Sequence, residues 1–169
     1  MAYMRAENVD YMARQNVDLA GRPQPEAQRT EALRRAGLGF AQARQFATDA
    51  LALAGSNEGA ARENDAVYRA ETVLGVLALK DGNRKAAVAH MRAAGAAPLP
   101  DPVRYTSEFG MRSRLVEYLL RAGERTSVAE YLEQSAQRRP IERGQLLKDA
   151  ARVREGLMPV SYQYAEARR

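Results

Sequence analysis

His90 is the only imidazole in this chain of 169 residues, which contains no cysteine. A zinc site draws its donors mostly from histidine and thiolate groups, so a lone histidine builds none. A serine nucleophile needs a presented Ser beside its base, and no Gly-x-Ser-x-Gly occurs. His90 reads instead as a partly exposed helix residue next to Met91, a core position. Gly37-Leu38-Gly39 is an isolated Gly-x-Gly with no strand before it, and no Gly-Lys-Ser or Gly-Lys-Thr follows anywhere, so a phosphate cradle is not expected. Glu63 and Asp65 stand two apart, which on a helix points them in different directions. No catalytic residue, metal or cofactor is therefore expected, and the chain is read as not an enzyme.

The remaining chemistry is charge. The net charge is +5 and the pI about 9.7, a balance that raises the question of nucleic acid. Many arginines, however, follow an acid by four residues: Asp10–Arg14, Glu31–Arg35, Glu58–Arg62, Asp65–Arg69, Glu108–Arg112 and Glu117–Arg121. This is the favourable order for a helix ion pair, worth about 0.2–0.5 kcal/mol each. The surplus falls late, with eight basic and four acidic residues from position 138 onward. That basic C-terminal segment is the basis of an alternative reading as a nucleic-acid-associated factor. Tyr68, Tyr105, Tyr118 and Tyr131 do not alternate with Arg or Lys as in a single-strand binder. They read as helix packing residues with the hydroxyl at the surface.

Such groups can act only if the backbone positions them. Alanine accounts for 32 residues, isoleucine for one and tryptophan for none, a composition that favours helix over strand. The longest apolar run, 73–79, is far too short to span a membrane. The first seven residues have no apolar core, so no secretory leader is expected, and the protein is read as cytoplasmic. A first helix covers residues 1–20 and breaks at Gly21 and Pro23. Leu33, Gly37, Phe40, Ala43, Ala47, Ala50 and Ala54 then recur in steps of three or four, the period of a helix. This predicts one long or kinked helix over 25–54, or two helices joined at Gly37 and Gly39. Further segments are expected at 60–80 and 84–94. After a proline-rich linker, Asp101-Pro102 reads as a helix start, with segments at 103–122 and 125–138. A last helix over 141–157 carries Leu146, Ala150, Val153 and Leu157 on one stripe, and residues 158–169 form an irregular basic tail.

Two of these segment pairs repeat. Leu74 and Ala78 precede Gly82 by eight and four residues, as Leu115 and Leu119 precede Gly123. Ala87, Met91 and Ala94 follow the first glycine at the spacings at which Val128, Leu132 and Ser135 follow the second. Pro98 and Pro140 close the two units, 60–94 and 102–138. These residues, with Gly75 as the small residue of the first helix, resemble the tetratricopeptide repeat. Val73-Leu74-Gly75 to Asp81-Gly82, Ser107-Glu108-Phe109-Gly110-Met111 and Leu119 to Glu124 are similar to a bacterial type of that repeat. The resemblance covers residues 60–157 well and 25–55 poorly, and together with the helical composition it implies one all-α domain over residues 1–157. Antiparallel helix pairs would stack as a short right-handed solenoid, and 141–157 would cap it.

It further implies a groove lined by the first helix of each pair. The groove positions are Arg69, Thr72, Val76 and Lys80 in one unit, and Ser113, Arg114, Glu117 and Arg121 in the next. Val73 and Val76 stand where the family's clamp for a terminal carboxylate has asparagine, so that clamp is not expected. A mixed basic and apolar groove suits an acidic or amphipathic segment of another protein. The expected role is thus an adaptor or scaffold. The other alternative is a self-assembling structural subunit, a homo-oligomer in which the N-terminal helix docks on a neighbouring copy.

Overall fold

The computed structural model describes residues 2–22, 25–54, 64–97 and 114–160. Among them are seven helices and no strand: α1 (Ala2–Ala20), α2 (Glu26–Ala54), α3 (Asn64–Lys80), α4 (Arg84–Ala96), α5 (Arg114–Arg121), α6 (Arg125–Arg138) and α7 (Arg143–Arg154). The proline linker with its Asp101-Pro102 start, Tyr105, Ser107 to Met111, Ser113, the pairs Glu58–Arg62 and Glu108–Arg112, the side chain of Asp65 and the tail from residue 161 lie outside the described residues.

Gly37 and Gly39 do not break α2, which runs unbroken for 29 residues. Its buried stripe is Ala32, Ala36, Ala43, Ala47 and Ala50. The first half is rotated by one residue from the expected line, leaving Leu33 48% exposed. The cause is small-on-small packing against α1. A Cβ built on Gly39 would lie 2.8 Å from the Ala13 Cβ and 3.4 Å from its Cα, so the two backbones meet where neither residue has bulk. Gly37 has nothing within 4 Å of the equivalent position. The two glycines should therefore respond oppositely to alanine. Gly37→Ala is expected to stabilise by about 0.5–1 kcal/mol, the helix-interior cost of glycine. Gly39→Ala is expected to destabilise, because Ala13 can retreat only with its helix. Thermal melts of the two variants provide the comparison.

The two repeat units turn alike. Gly82 and Gly123 have φ of +77° and +89°, which a side chain resists. After each glycine the chain closes a Schellman turn: the Asn83 amide donates to the Ala78 carbonyl at 2.8 Å, and the Glu124 amide to the Leu119 carbonyl at 2.9 Å. Asn83 then caps α4, its side-chain oxygen accepting from the Ala86 amide, whereas Glu124 makes no such bond for α6. At the repeat positions Ala78, Ala87, Met91 and Ala94 are buried, as are Leu115, Leu119, Val128, Leu132 and Ser135; Leu74 is half-buried.

Consecutive helices pack on one another from α1 to α7, and α1 with α3, α3 with α5 and α4 with α6 also touch. Small residues set the skipping contacts. A Cβ on Gly75 would fall 2.4 Å from Leu115 Cδ2 and 3.2 Å from the His90 Cβ, and one on Gly95 would fall 2.5 Å from the Tyr131 ring. One buried cluster then runs through α3 to α7, with Met91, Leu119, Leu132, Leu146 and Val153 among its members. A second joins Ala43, Ala47 and Ala50 of α2 to Ala70, Val73 and Leu77 of α3. Arg138 ties α6 to the end of α4 by donating to the Gly95 carbonyl, and to that of Ala97 at 3.3 Å.

Two features differ from what the spacing predicts. Tyr68 and Tyr131 are buried, hydroxyls included, and burial pushes the Tyr131 phenol up, against the pull of the Arg139 charge. The last helix is shorter than 141–157: Ile141 is 76% and Leu157 45% exposed. Gly156, at φ +88°, turns the chain before Leu157 can join the stripe of Leu146, Ala150 and Val153. Residues 158–160 fold back, Pro159 being fully buried. The Asp149 carboxylate, itself inaccessible, accepts from the Val160 amide at 2.9 Å.

Candidate functional site

The groove positions do not share one environment. Arg69 and Thr72 are half-buried on α3, and the Thr72 hydroxyl donates to the Tyr68 carbonyl at 2.8 Å. Val76, expected to be exposed, is buried in the main core cluster together with Leu115, Leu119 and Leu120 of α5. Lys80 is exposed at the end of α3. On α5, Arg114 and Arg121 are exposed; Arg121 donates to the half-buried Glu117 at 2.9 Å, as the i to i+4 spacing predicted. Ser113 lies outside the described residues.

The structure brings Val76 and Lys80 together with residues that the repeat pattern did not select. A cleft of about 440 Å³ opens where the C-terminal ends of α3 and α5 meet α1 and α2. Val76, Leu77 and Ala122 supply apolar surface. Phe40 of α2 and Tyr118 of α5 supply rings, and Arg14, Lys80 and Arg84 supply charge. Arg14 donates to the Asp10 carboxylate at 2.9 Å from Nε and to the Tyr118 hydroxyl at 2.9 Å from Nη1. Its guanidinium carbon is 5.4 Å from the Tyr118 ring centre. The Lys80 ammonium sits 4.6 Å from the Phe40 ring centre, within cation–π range.

These four additional residues had faint signals. Asp10–Arg14 is one of the i to i+4 pairs, Phe40 belongs to the α2 stripe, and Tyr118 is a helix tyrosine of the expected kind. Arg84 follows the turn glycine by two residues. Nothing in their spacing joins them, since Arg14 and Tyr118 are 104 residues apart.

Elsewhere most arginines are committed. Glu31 accepts from Arg34 and Arg35, each at 2.7 Å, and these hydrogen bonds hold its carboxyl down at about 2. Arg44 pairs with Asp81, and Arg92 with Glu130. Arg154 pairs with Glu133, lowering the acid and raising the guanidinium through their hydrogen bond. Among the described residues no group of three His, Cys, Asp or Glu side chains converges as a metal site would, and no helix is long and apolar enough to cross a membrane. The Glu71 carboxylate lies 2.6 Å from His90 Nδ1, which orients the only imidazole between α3 and α4. No protein-family model, curated protein or solved structure matches the chain.

Proposed function

We propose that the chain is a non-enzymatic interaction module. In this reading its helix pairs, α3 with α4 and α5 with α6, stack as tetratricopeptide-like repeats in a short right-handed array capped by α7. Its role is to hold a segment of another polypeptide along the faces of α3 and α5. The observation that carries this reading is the pattern of packing. α3 touches α5 and α4 touches α6, so like helices of successive pairs are neighbours, and both pairs turn on a positive-φ glycine at the repeat spacing. Stacking of this kind spreads a continuous surface over several pairs, which suits holding a ligand along its length.

The basic C-terminal segment supports the alternative less well. Arg138 donates to carbonyls of α4, Arg139 pairs with Glu142, Arg152 donates to the Met158 carbonyl and Arg154 pairs with Glu133. Those cations work within the fold, leaving Arg143 and Lys148 as the exposed cations of this segment without a carboxylate partner among the described residues.

The test is capture of partners on immobilised protein, identified by mass spectrometry, with the charge reversals Arg114→Glu and Arg121→Glu combined. Both side chains are exposed, so the fold should survive. The double variant is expected to lose at least about tenfold of the captured partner, a change of about 1.4 kcal/mol. Undiminished capture would remove the α5 face from the binding surface.

A further inference from the structure

We infer that the cleft between α1, α2, α3 and α5 is the anchor point for an acidic segment of a partner polypeptide, receiving a large apolar side chain with a carboxylate beside it. This deepens, and rests on, the interaction-module reading. The charge at the cleft is unbalanced. Of the three cations at the cleft, Arg14 is neutralised by Asp10. Lys80 and Arg84 are exposed and have no carboxylate partner among the described residues, and the nearby Asp81 is taken by Arg44. Two cations therefore border an apolar hollow walled by Phe40 and Tyr118.

The apolar surface and the rings favour a hydrophobic side chain, and the cations favour an adjacent carboxylate, which removes very hydrophilic anions such as free phosphate as the best fit. The volume, about 440 Å³, lies within the range of sites that enclose a compact group. Lys80 is exposed at the end of α3 and belongs both to the cleft and to the proposed α3–α5 binding face, so a segment lying on that face would end here. This continuity selects a polypeptide over a free carboxylic acid.

The probe is a short capped peptide of alternating glutamate and phenylalanine, with its glutamine counterpart as the neutral control. Binding is followed by backbone amide shifts of the full ¹⁵N-labelled chain. Shifts are expected at Phe40, Leu79, Lys80 and Ala122. Affinity should fall about tenfold with the glutamine peptide, and about tenfold in the double variant Lys80→Gln/Arg84→Gln. Lys85→Gln, on an exposed residue that does not line the cleft, should change it less than about twofold. A circular dichroism spectrum and melt equal to those of the parent confirm that the fold is intact.

Shifts located elsewhere, no binding, or an affinity unaltered by Lys80→Gln/Arg84→Gln would each overturn the cleft assignment. Equal affinity for free 3-phenylpropionate would overturn the polypeptide as its occupant. Failure here while capture still depends on Arg114 and Arg121 would sink the cleft alone; failure of both would sink the interaction reading as well.

Discussion

Leu119→Ala is expected to lower the unfolding free energy by about 3 kcal/mol, in the range for a leucine truncated in a packed core. Domains of this size are stable by about 5–15 kcal/mol, so the loss is a large share. Leu119 is fully buried in the cluster that spans α3 to α7. Its counterpart in the first unit, four residues before Gly82 as Leu119 is four before Gly123, is the much smaller Ala78, itself buried. The two units therefore fill equivalent positions with different volumes. Neighbours of Leu119 such as Val116, Val128 and Leu132 share its cluster, and the helices that carry them cannot close on a smaller residue without moving the whole pair. Because that cluster draws on five helices, the variant should still unfold in one transition, shifted to lower denaturant with little change in slope. Equilibrium urea unfolding measures both quantities. A loss below about 1 kcal/mol would show that the site collapses freely around alanine.

The second large effect belongs to Gly75. Even a Cβ at this position would come within 2.4 Å of Leu115 Cδ2, and Leu115 is itself 1% exposed. Gly75→Leu must therefore force α3 and α5 apart or drive Leu115 from its rotamer. The expected cost is about 3 kcal/mol, at the upper end for overpacking, despite the gain in helix propensity over glycine. Adding Leu115→Ala opens room on the facing helix. The double variant should then be more stable than the sum of the single losses predicts, with a coupling of about 1 kcal/mol or more. Additive losses in the same urea experiment would mean that the two residues do not face each other.

The sequence carried the helices further than it carried the cleft. Turn glycines, prolines and apolar spacing placed α3, α4 and α6 closely, because each rests on local chemistry. The repeat spacing also selected Met91, Leu119 and Leu132, which are buried. Where local rules failed, a neighbouring helix decided. Gly37 and Gly39 left the continuity of α2 open, since glycine cost alone argues for a break. The contact of Gly39 with Ala13 shows why the helix instead continues past a residue with no side chain. Val76 satisfied the spacing of an exposed position, yet it is buried in the cluster it shares with α5. Periodicity defines a face, but not which later or earlier element will lie on it.

The candidate site was half legible. Lys80 and Val76 were selected from the repeat, whereas Arg14, Phe40, Arg84 and Tyr118 reach the cleft from α1, α2, α4 and α5. Phe40 and Tyr118 read as ordinary packing residues, and Arg14 as half of a solvated ion pair. Only tertiary packing shows that Arg14 also bonds the Tyr118 hydroxyl and that Lys80 stacks over Phe40. A charge left without a carboxylate partner among the described residues is a property of the assembled surface. No one-dimensional spacing encodes it.

The cleft and the α3–α5 face exist only if α1, α2, α3 and α5 are stacked in one register. A nuclear Overhauser spectrum of the labelled full chain tests that register directly. Cross-peaks are expected from the Gly75 α-protons to the Leu115 methyls, and from the Phe40 ring protons to the Lys80 side-chain methylenes. Well-resolved spectra of a helical protein lacking both sets of cross-peaks would contradict that register.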